Sequence, residues 1–288
     1  MSDLTLILYP TYRCNMKCAA CAARAYPVAG NGTELPVDVW RAALAECPLH
    51  VRRAVASGME PTMYRDLAAL LDGVPDSAPV AVESNMIIDP QTWVTDEIIP
   101  RLQGVRATLH HYALSAQAER FWKHVDWLSD NVPGISIVVG HQAYENSDPA
   151  SMERVCQESE ARGLRVDKHG VCDVFLWRER MPYRGLVRGC DAGQSRVTIA
   201  PDGTAYRCQG QAAFGLQPLG NIRDGWDWLL DAPADCECAV CSCTTPDSPV
   251  PDPAIIAGCE RCDLDADNHI YLVPQRRLEE MLGVQFYA

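Results

Sequence analysis

Through the first 175 residues, short apolar runs rich in β-branched side chains alternate with segments of helical spacing. No other feature limits the fold as much. The runs predict strands over 4–9, 50–56, 79–84, 104–110, 134–140 and 164–171, and the intervening spacing predicts helices over 36–46, 62–73, 91–102, 114–130 and 149–162. The repeat of about 25 to 30 residues is the length of one βα unit. The last helix has clear ends: Asp148-Pro149 with Ser151 and Glu153 open it, and Gly163 closes it. Parallel strands joined by right-handed crossovers form an open sheet or a barrel, and the pattern alone does not choose between them. In βα barrels the chemistry lies at the C-terminal ends of the strands, so the residues after each predicted strand matter most.

With 288 residues, 48% of them hydrophobic, the chain can build a large core without cross-links. A net charge of −13 and scattered Lys and Arg argue against nucleic-acid and anionic-membrane partners. The N-terminal apolar run lacks a basic flank and is too short for a signal sequence or a membrane span, so the expected location is cytoplasmic. In that setting fourteen cysteines read as metal ligands or redox groups, not as a disulfide framework. Their placement is uneven: three fall at 14–21, eight between 190 and 262, and Cys47, Cys156 and Cys172 stand apart as incidental thiols.

Cys14, Cys18 and Cys21 follow the first predicted strand directly, within Thr11-Tyr-Arg-Cys-Asn-Met-Lys-Cys-Ala-Ala-Cys21. Three thiolates at that spacing can reach one metal centre from a single loop. A structural zinc site or an electron-transfer iron–sulfur cluster takes four protein ligands, so three would leave one iron open. The plainer alternative is a four-cysteine site with its fourth ligand elsewhere in the chain. The Cys-x3-Cys-x2-Cys pattern after a first strand resembles the signature of the radical S-adenosylmethionine superfamily. The resemblance implies a [4Fe-4S] cluster on Cys14, Cys18 and Cys21 whose open iron binds S-adenosylmethionine. It also implies reductive cleavage of that cofactor to a 5′-deoxyadenosyl radical, and a partial (β/α)6 TIM-like barrel, which matches the six predicted strands.

The strand ends extend the resemblance. Ser57-Gly-Met-Glu-Pro61 is similar to the family's Gly-Gly-Glu-Pro motif, with Met59 in place of the second glycine, which assigns cofactor binding to Gly58 and to Glu60 at the methionine amino group. Glu83-Ser-Asn85 is similar to the family's Ser/Thr-Asn-Gly stretch and assigns Ser84 and Asn85 to the cofactor's carboxylate and ribose. His110 and His111, His141 and His169 follow the fourth, fifth and sixth strands, where an imidazole can bind a polar substrate or move a proton. His110, His141 and His169 are the catalytic candidates among them, although any one is as readily a surface or hydrogen-bonded core histidine. In the connector 176–189, Arg178 and Glu179 are further catalytic candidates, and Trp177, Tyr183 and Arg184 can wall a pocket.

The barrel is expected over 1–175, the connector over 176–189 and a cysteine-rich domain over 190–288, where 197–206 reads as a β-hairpin turning at Pro201-Asp-Gly203. A hairpin brings its flanking Cys190 and Cys208 together. The Cys-x12-Gly-x4-Cys spacing, followed by Leu219-Gly-Asn-Ile222, resembles the auxiliary-cluster extension called SPASM, or twitch in its shorter form. Cys236, Cys238, Cys241, Cys243, Cys259 and Cys262 are the remaining candidate ligands. The set allows two auxiliary [4Fe-4S] clusters, or one with the 236–243 run binding zinc. The resemblance thus implies an oxidoreductase that abstracts hydrogen from a small polar, sugar- or aminocyclitol-like metabolite, with an auxiliary cluster as electron acceptor and a flavodoxin or ferredoxin as reductant. The competing reading is maturation of a ribosomally made peptide, although such enzymes often carry an added N-terminal recognition domain and here the cysteine loop starts at residue 14.

Overall fold

The computed structural model describes residues 4–16, 33–75, 78–110, 116–142, 149–169, 193, 195–215 and 217–229. Six parallel strands follow one another in chain order: β1 (Leu4–Leu8), β2 (Val51–Ala56), β3 (Val80–Ser84), β4 (Leu102–His110), β5 (Ser136–Gln142) and β6 (Arg165–His169). Each strand pairs with the next. Right-handed crossovers that step the same way along these six strands leave their helices on one face. The helices are α1 (Val37–Ala45), α2 (Leu67–Asp72), α3 (Ala116–Asn131) and α4 (Pro149–Ala161).

The core lies between the helices and that face. Leu4, Leu6, Leu8, Ala54, Ala56, Val80 and Val82 pack there against Trp40 and Leu44 of α1, Leu70 and Leu71 of α2, and Phe121, Val125 and Leu128 of α3. The opposite face has a different character. Ile7 and Tyr9 form a small apolar cluster there, and Glu83 and Arg106 pair at 3.9 Å with both side chains partly exposed. A central strand buried on both faces explains why Leu6, Ile7 and Leu8 of β1 are apolar in succession and do not alternate.

Two expected helices are shorter than their spacing suggests. The region predicted as 62–73 begins with a 3-10 turn at Pro61–Met63, and α2 starts only at Leu67. Over 91–102 the chain forms a single 3-10 turn at Pro90–Thr92 and then a series of turns. Trp93, Val94 and Ile98 are buried as the spacing requires, so the apolar period is real. Proline at the start, the β-branched Thr92, Val94 and Thr95, and Pro100 at the end favour tight turns over a continuous helix.

The expected hairpin is present as β7 (Arg196–Ile199) and β8 (Thr204–Tyr206), antiparallel, with Gly203 at φ +86° in the turn. It does not stand apart from the sheet. β7 pairs parallel with β1 on the edge away from β2, and β9 (Gly220–Asn221) pairs with β8, giving a nine-stranded sheet in the order β6-β5-β4-β3-β2-β1-β7-β8-β9. Trp226 closes the attachment: its indole N–H donates to Ala43 O of α1 at 2.8 Å, and its ring joins the main core. Among the described residues, no helix is long and apolar enough to cross a membrane.

Candidate functional site

Glu60 is the hub at the C-terminal ends of the strands. After β2 the chain turns through Gly58 at φ +110°, where a Cβ would sit 3.1 Å from the Tyr9 ring, so only glycine fits without strain. Two residues later Glu60 caps the 3-10 turn and is fully buried. Its Oε1 accepts from Thr62 N at 3.2 Å, Thr62 Oγ1 at 2.5 Å and Ser84 Oγ at 2.9 Å, and its Oε2 accepts from Asn85 N at 2.8 Å. Burial pushes this carboxyl up from its ordinary pKa, against the opposing pull of the Thr62, Asn85 and Ser84 donors.

The end of β3 is held as tightly. Met86 adopts φ +55°, a left-handed conformation costly for a non-glycine residue, and it is fully buried. Ser84 Oγ accepts from Met86 N at 2.9 Å, and the buried His124 of α3 places Nδ1 2.8 Å from Met86 O. That turn aims Asn85 at the cysteine loop, where Nδ2 donates to Asn15 Oδ1 at 2.7 Å and lies 4.0 Å from Cys14 Sγ. Cys14 is a half-buried thiol whose sulfur accepts from Met16 N at 3.4 Å. Ile87 and Cys14 both pack on Met16, and beside Ile87 opens a pocket of about 550 Å³ lined also by Asp89, Glu119, Arg120, Lys123 and His124.

A second set of contacts closes the base of the loop. Arg13 forks onto Glu34, with Nε to Oε1 at 2.6 Å and Nη2 to Oε2 at 2.9 Å, and Nη2 also reaches Met63 O at 2.7 Å. Thr11 Oγ1 donates to Glu34 Oε1 and accepts from Arg13 N. The two arms flanking 17–32 are therefore clasped together and fixed to the 3-10 turn below Glu60.

No protein-family model matches the sequence, and no curated protein matches it. Among solved structures the chain is similar to that described as the crystal structure of BtrN in complex with AdoMet and 2-DOIA, with 12% identity, a TM-score of 0.41, and coverage of 80% of this chain and 86% of that one.

Of the residues expected at the site, Cys14, Gly58, Glu60, Ser84 and Asn85 come together at the ends of β1, β2 and β3. The histidines fall at the ends of β4, β5 and β6. In register His110 lies opposite Gln142, which lies opposite His169, whereas His141 occupies the neighbouring row with Leu109 and Lys168. Cys208 is buried at the start of α5 (Gln209–Phe214). Cys18, Cys21, His111, Trp177, Arg178, Glu179, Tyr183, Arg184, Cys190, Cys236, Cys238, Cys241, Cys243, Cys259 and Cys262 lie outside the described residues.

The donor chemistry at Cys14 suits an iron ligand: a half-buried thiol six residues past the end of β1, with a backbone N–H donated to its sulfur in the way that steadies a thiolate. Sequence reasoning missed Asn15, the Arg13–Glu34 clasp and His124. Only His124 left a trace, three residues after Phe121 on the apolar stripe of α3. It also missed a polar row on the face opposite the helices, where Ser57 Oγ donates to Glu83 and Glu83 pairs with Arg106.

Proposed function

We propose that the chain is a radical S-adenosylmethionine enzyme, built on a partial (β/α)6 barrel, that oxidises a small polar metabolite. The observation that carries this reading is the Glu60 hub. One buried carboxylate ties the turn after β2 to the turn after β3, and Asn85 continues the tie to the Cys14 loop. Such rigidity at the mouth of a parallel sheet is what a site needs when it must hold a reactive group and a C–H bond in fixed relation.

When bound, the [4Fe-4S] cluster and S-adenosylmethionine would supply the electron and the 5′-deoxyadenosyl group that takes a hydrogen atom from the substrate. Cys14, with Cys18 and Cys21, would hold the iron. Gly58 lets the strand-end turn pack on the Tyr9 ring, while Glu60 and Ser84 set the shape of that turn. The pocket beside Ile87 offers Arg120 and Lys123 to an anionic group and Asp89 and Glu119 to a cationic or hydroxyl group. Glu83 and Arg106, paired and partly exposed on the face opposite the helices, would offer polar contacts to a substrate bound there. Cys190, Cys208 and the six later cysteines would hold one or two auxiliary [4Fe-4S] clusters, and a flavodoxin or ferredoxin would deliver the electron.

Anaerobic reconstitution tests the reading. The expected result is about eight or twelve iron atoms per chain, with 5′-deoxyadenosine formed from S-adenosylmethionine and dithionite. Replacing Cys14, Cys18 and Cys21 together by Ala should abolish cleavage and leave auxiliary iron in place. A wild-type protein that binds iron and never cleaves the cofactor would sink the proposal.

A further inference from the structure

Asn85 does more than lend its backbone N–H to Glu60. Its side-chain amide is fixed at both ends: Oδ1 accepts from Ile87 N at 3.0 Å, which settles the oxygen end, and Nδ2 donates to Asn15 Oδ1 at 2.7 Å. A primary amide nitrogen carries two hydrogens. With one directed to Asn15, the other neighbour of Nδ2 is the Cys14 sulfur at 4.0 Å. The residue is 6% exposed, so water competes little for that hydrogen.

We infer that Asn85 is a positioning residue for the Cys14 sulfur, donating to it when it ligates iron and raising the reduction potential of the bound cluster. The inference rests on Cys14 being an iron ligand, as proposed above. A thiolate is a stronger acceptor than the thiol, so the contact gains strength on ligation. Reduction adds negative charge that spreads onto the ligand sulfurs, and an N–H dipole aimed there stabilises the reduced form more than the oxidised one. Met16 N–H does the same from the backbone at 3.4 Å, where an ordinary side-chain substitution leaves it in place; Asn85 is the side-chain donor. This differs from a contact to the cofactor's carboxylate or ribose, because the oxygen and one amide hydrogen are held by Ile87 N and Asn15, and the remaining hydrogen has the Cys14 sulfur as its neighbour.

The test is a redox titration of the anaerobically reconstituted full chain, followed by electron paramagnetic resonance. The signal that changes when S-adenosylmethionine is added reports the Cys14 cluster. Asn85→Asp keeps the shape and the oxygen facing Ile87 N but removes both hydrogens; Asn85→Ala removes the amide. Both should retain iron and shift the midpoint of that signal to more negative potential, the Asp variant further. Auxiliary signals should not move. Asn15→Ala keeps the donor and should shift the midpoint less than Asn85→Ala. Unchanged midpoints in both Asn85 variants, or an equal shift in Asn15→Ala, would overturn the inference. If the Asn85 variants lose iron, wild-type protein labelled with 15N at the asparagine side-chain amides decides: coupling of that nitrogen to the cluster is expected, and its absence overturns the inference. A wild-type chain with no S-adenosylmethionine-sensitive signal refutes the enzyme reading instead.

Discussion

Ser84 Oγ donates to Glu60 Oε1 at 2.9 Å, joining the ends of two neighbouring strands through side chains that water does not reach. With Thr62 and Asn85 also pointing at the same carboxylate, every one of these donors depends on Glu60.

Glu60→Ala is therefore expected to destabilise the fold by about 3 kcal/mol or more, since it strands several buried donors at once. Glu60→Gln should cost about 1–3 kcal/mol, because its amide faces at least one donor with another donor. Urea unfolding followed by circular dichroism reads both. A loss under 0.5 kcal/mol (a threshold of about the scatter for surface substitutions) in Glu60→Ala would show that the hub contributes no stability.

Gly58→Ala places a methyl group 3.1 Å from the Tyr9 ring at φ +110°. Strain of that kind costs about 1–3 kcal/mol. Because the turn leads directly to Glu60, the S-adenosylmethionine cleavage proposed above should fall by more than the loss of folded protein explains. Equal activity per folded molecule would separate the turn from the site.

Arg13→Ala should behave in the opposite way. The Arg13 side chain is 52% exposed, and an exposed ion pair is worth about 0–1 kcal/mol, so the unfolding midpoint should barely move. With iron on the cysteine loop as proposed above, its retention against a chelator should fall several-fold, because the clasp that holds the arms of the loop is lost. An unchanged rate of iron loss would refute a role for the clasp.

Tyr64 gives the fold an alkaline limit. Its hydroxyl donates to Leu35 O at 2.7 Å, and burial, with Asp66, Glu34 and Asp38 nearby, pushes its pKa from 10.0 to about 12. The folded state thus favours the neutral phenol. The stabilising contribution is complete below pH 10 and is lost as the pH rises through about 12. Tyr64→Phe should be less stable by about 1 kcal/mol at neutral pH and lose less on passing through that window. Some slope remains, because burial raises Tyr12 and Tyr206 in the same direction. Parallel pH profiles for the variant and wild type would contradict the assignment.

The six parallel strands were legible because each is specified by its own residues: a buried strand needs an apolar run, and a surface helix needs an apolar stripe. Val80–Ser84 opens on an apolar Val-Ala-Val run, Leu102–His110 alternates Val105, Ala107 and Leu109 with polar residues, and α4 is marked by its opening proline and closing glycine. Part of the site was legible for a second reason, since the strand ends of a βα fold are where ligands bind. There the likeness of Ser57–Pro61 and Glu83–Asn85 to motifs of a known family pointed to Glu60, Ser84 and Asn85, and these three residues do meet. The region 91–102 was misread because apolar spacing reports which residues are buried, not whether the backbone between them is continuous helix.

What the sequence by itself determined, then, is local: the strands, most of the helices, the hairpin at Pro201–Gly203, and the types of residue set at the sheet's mouth. What only the tertiary structure decided is who meets whom. Ser84 reaches Glu60 across 24 residues of chain, Asn85 reaches Asn15 across 70, and Trp226 reaches Ala43 across 183. The hairpin's place beside β1 belongs to the same class. Hydrogen bonds over such separations leave no periodic trace in sequence, because they form only after the core has brought the strands into register.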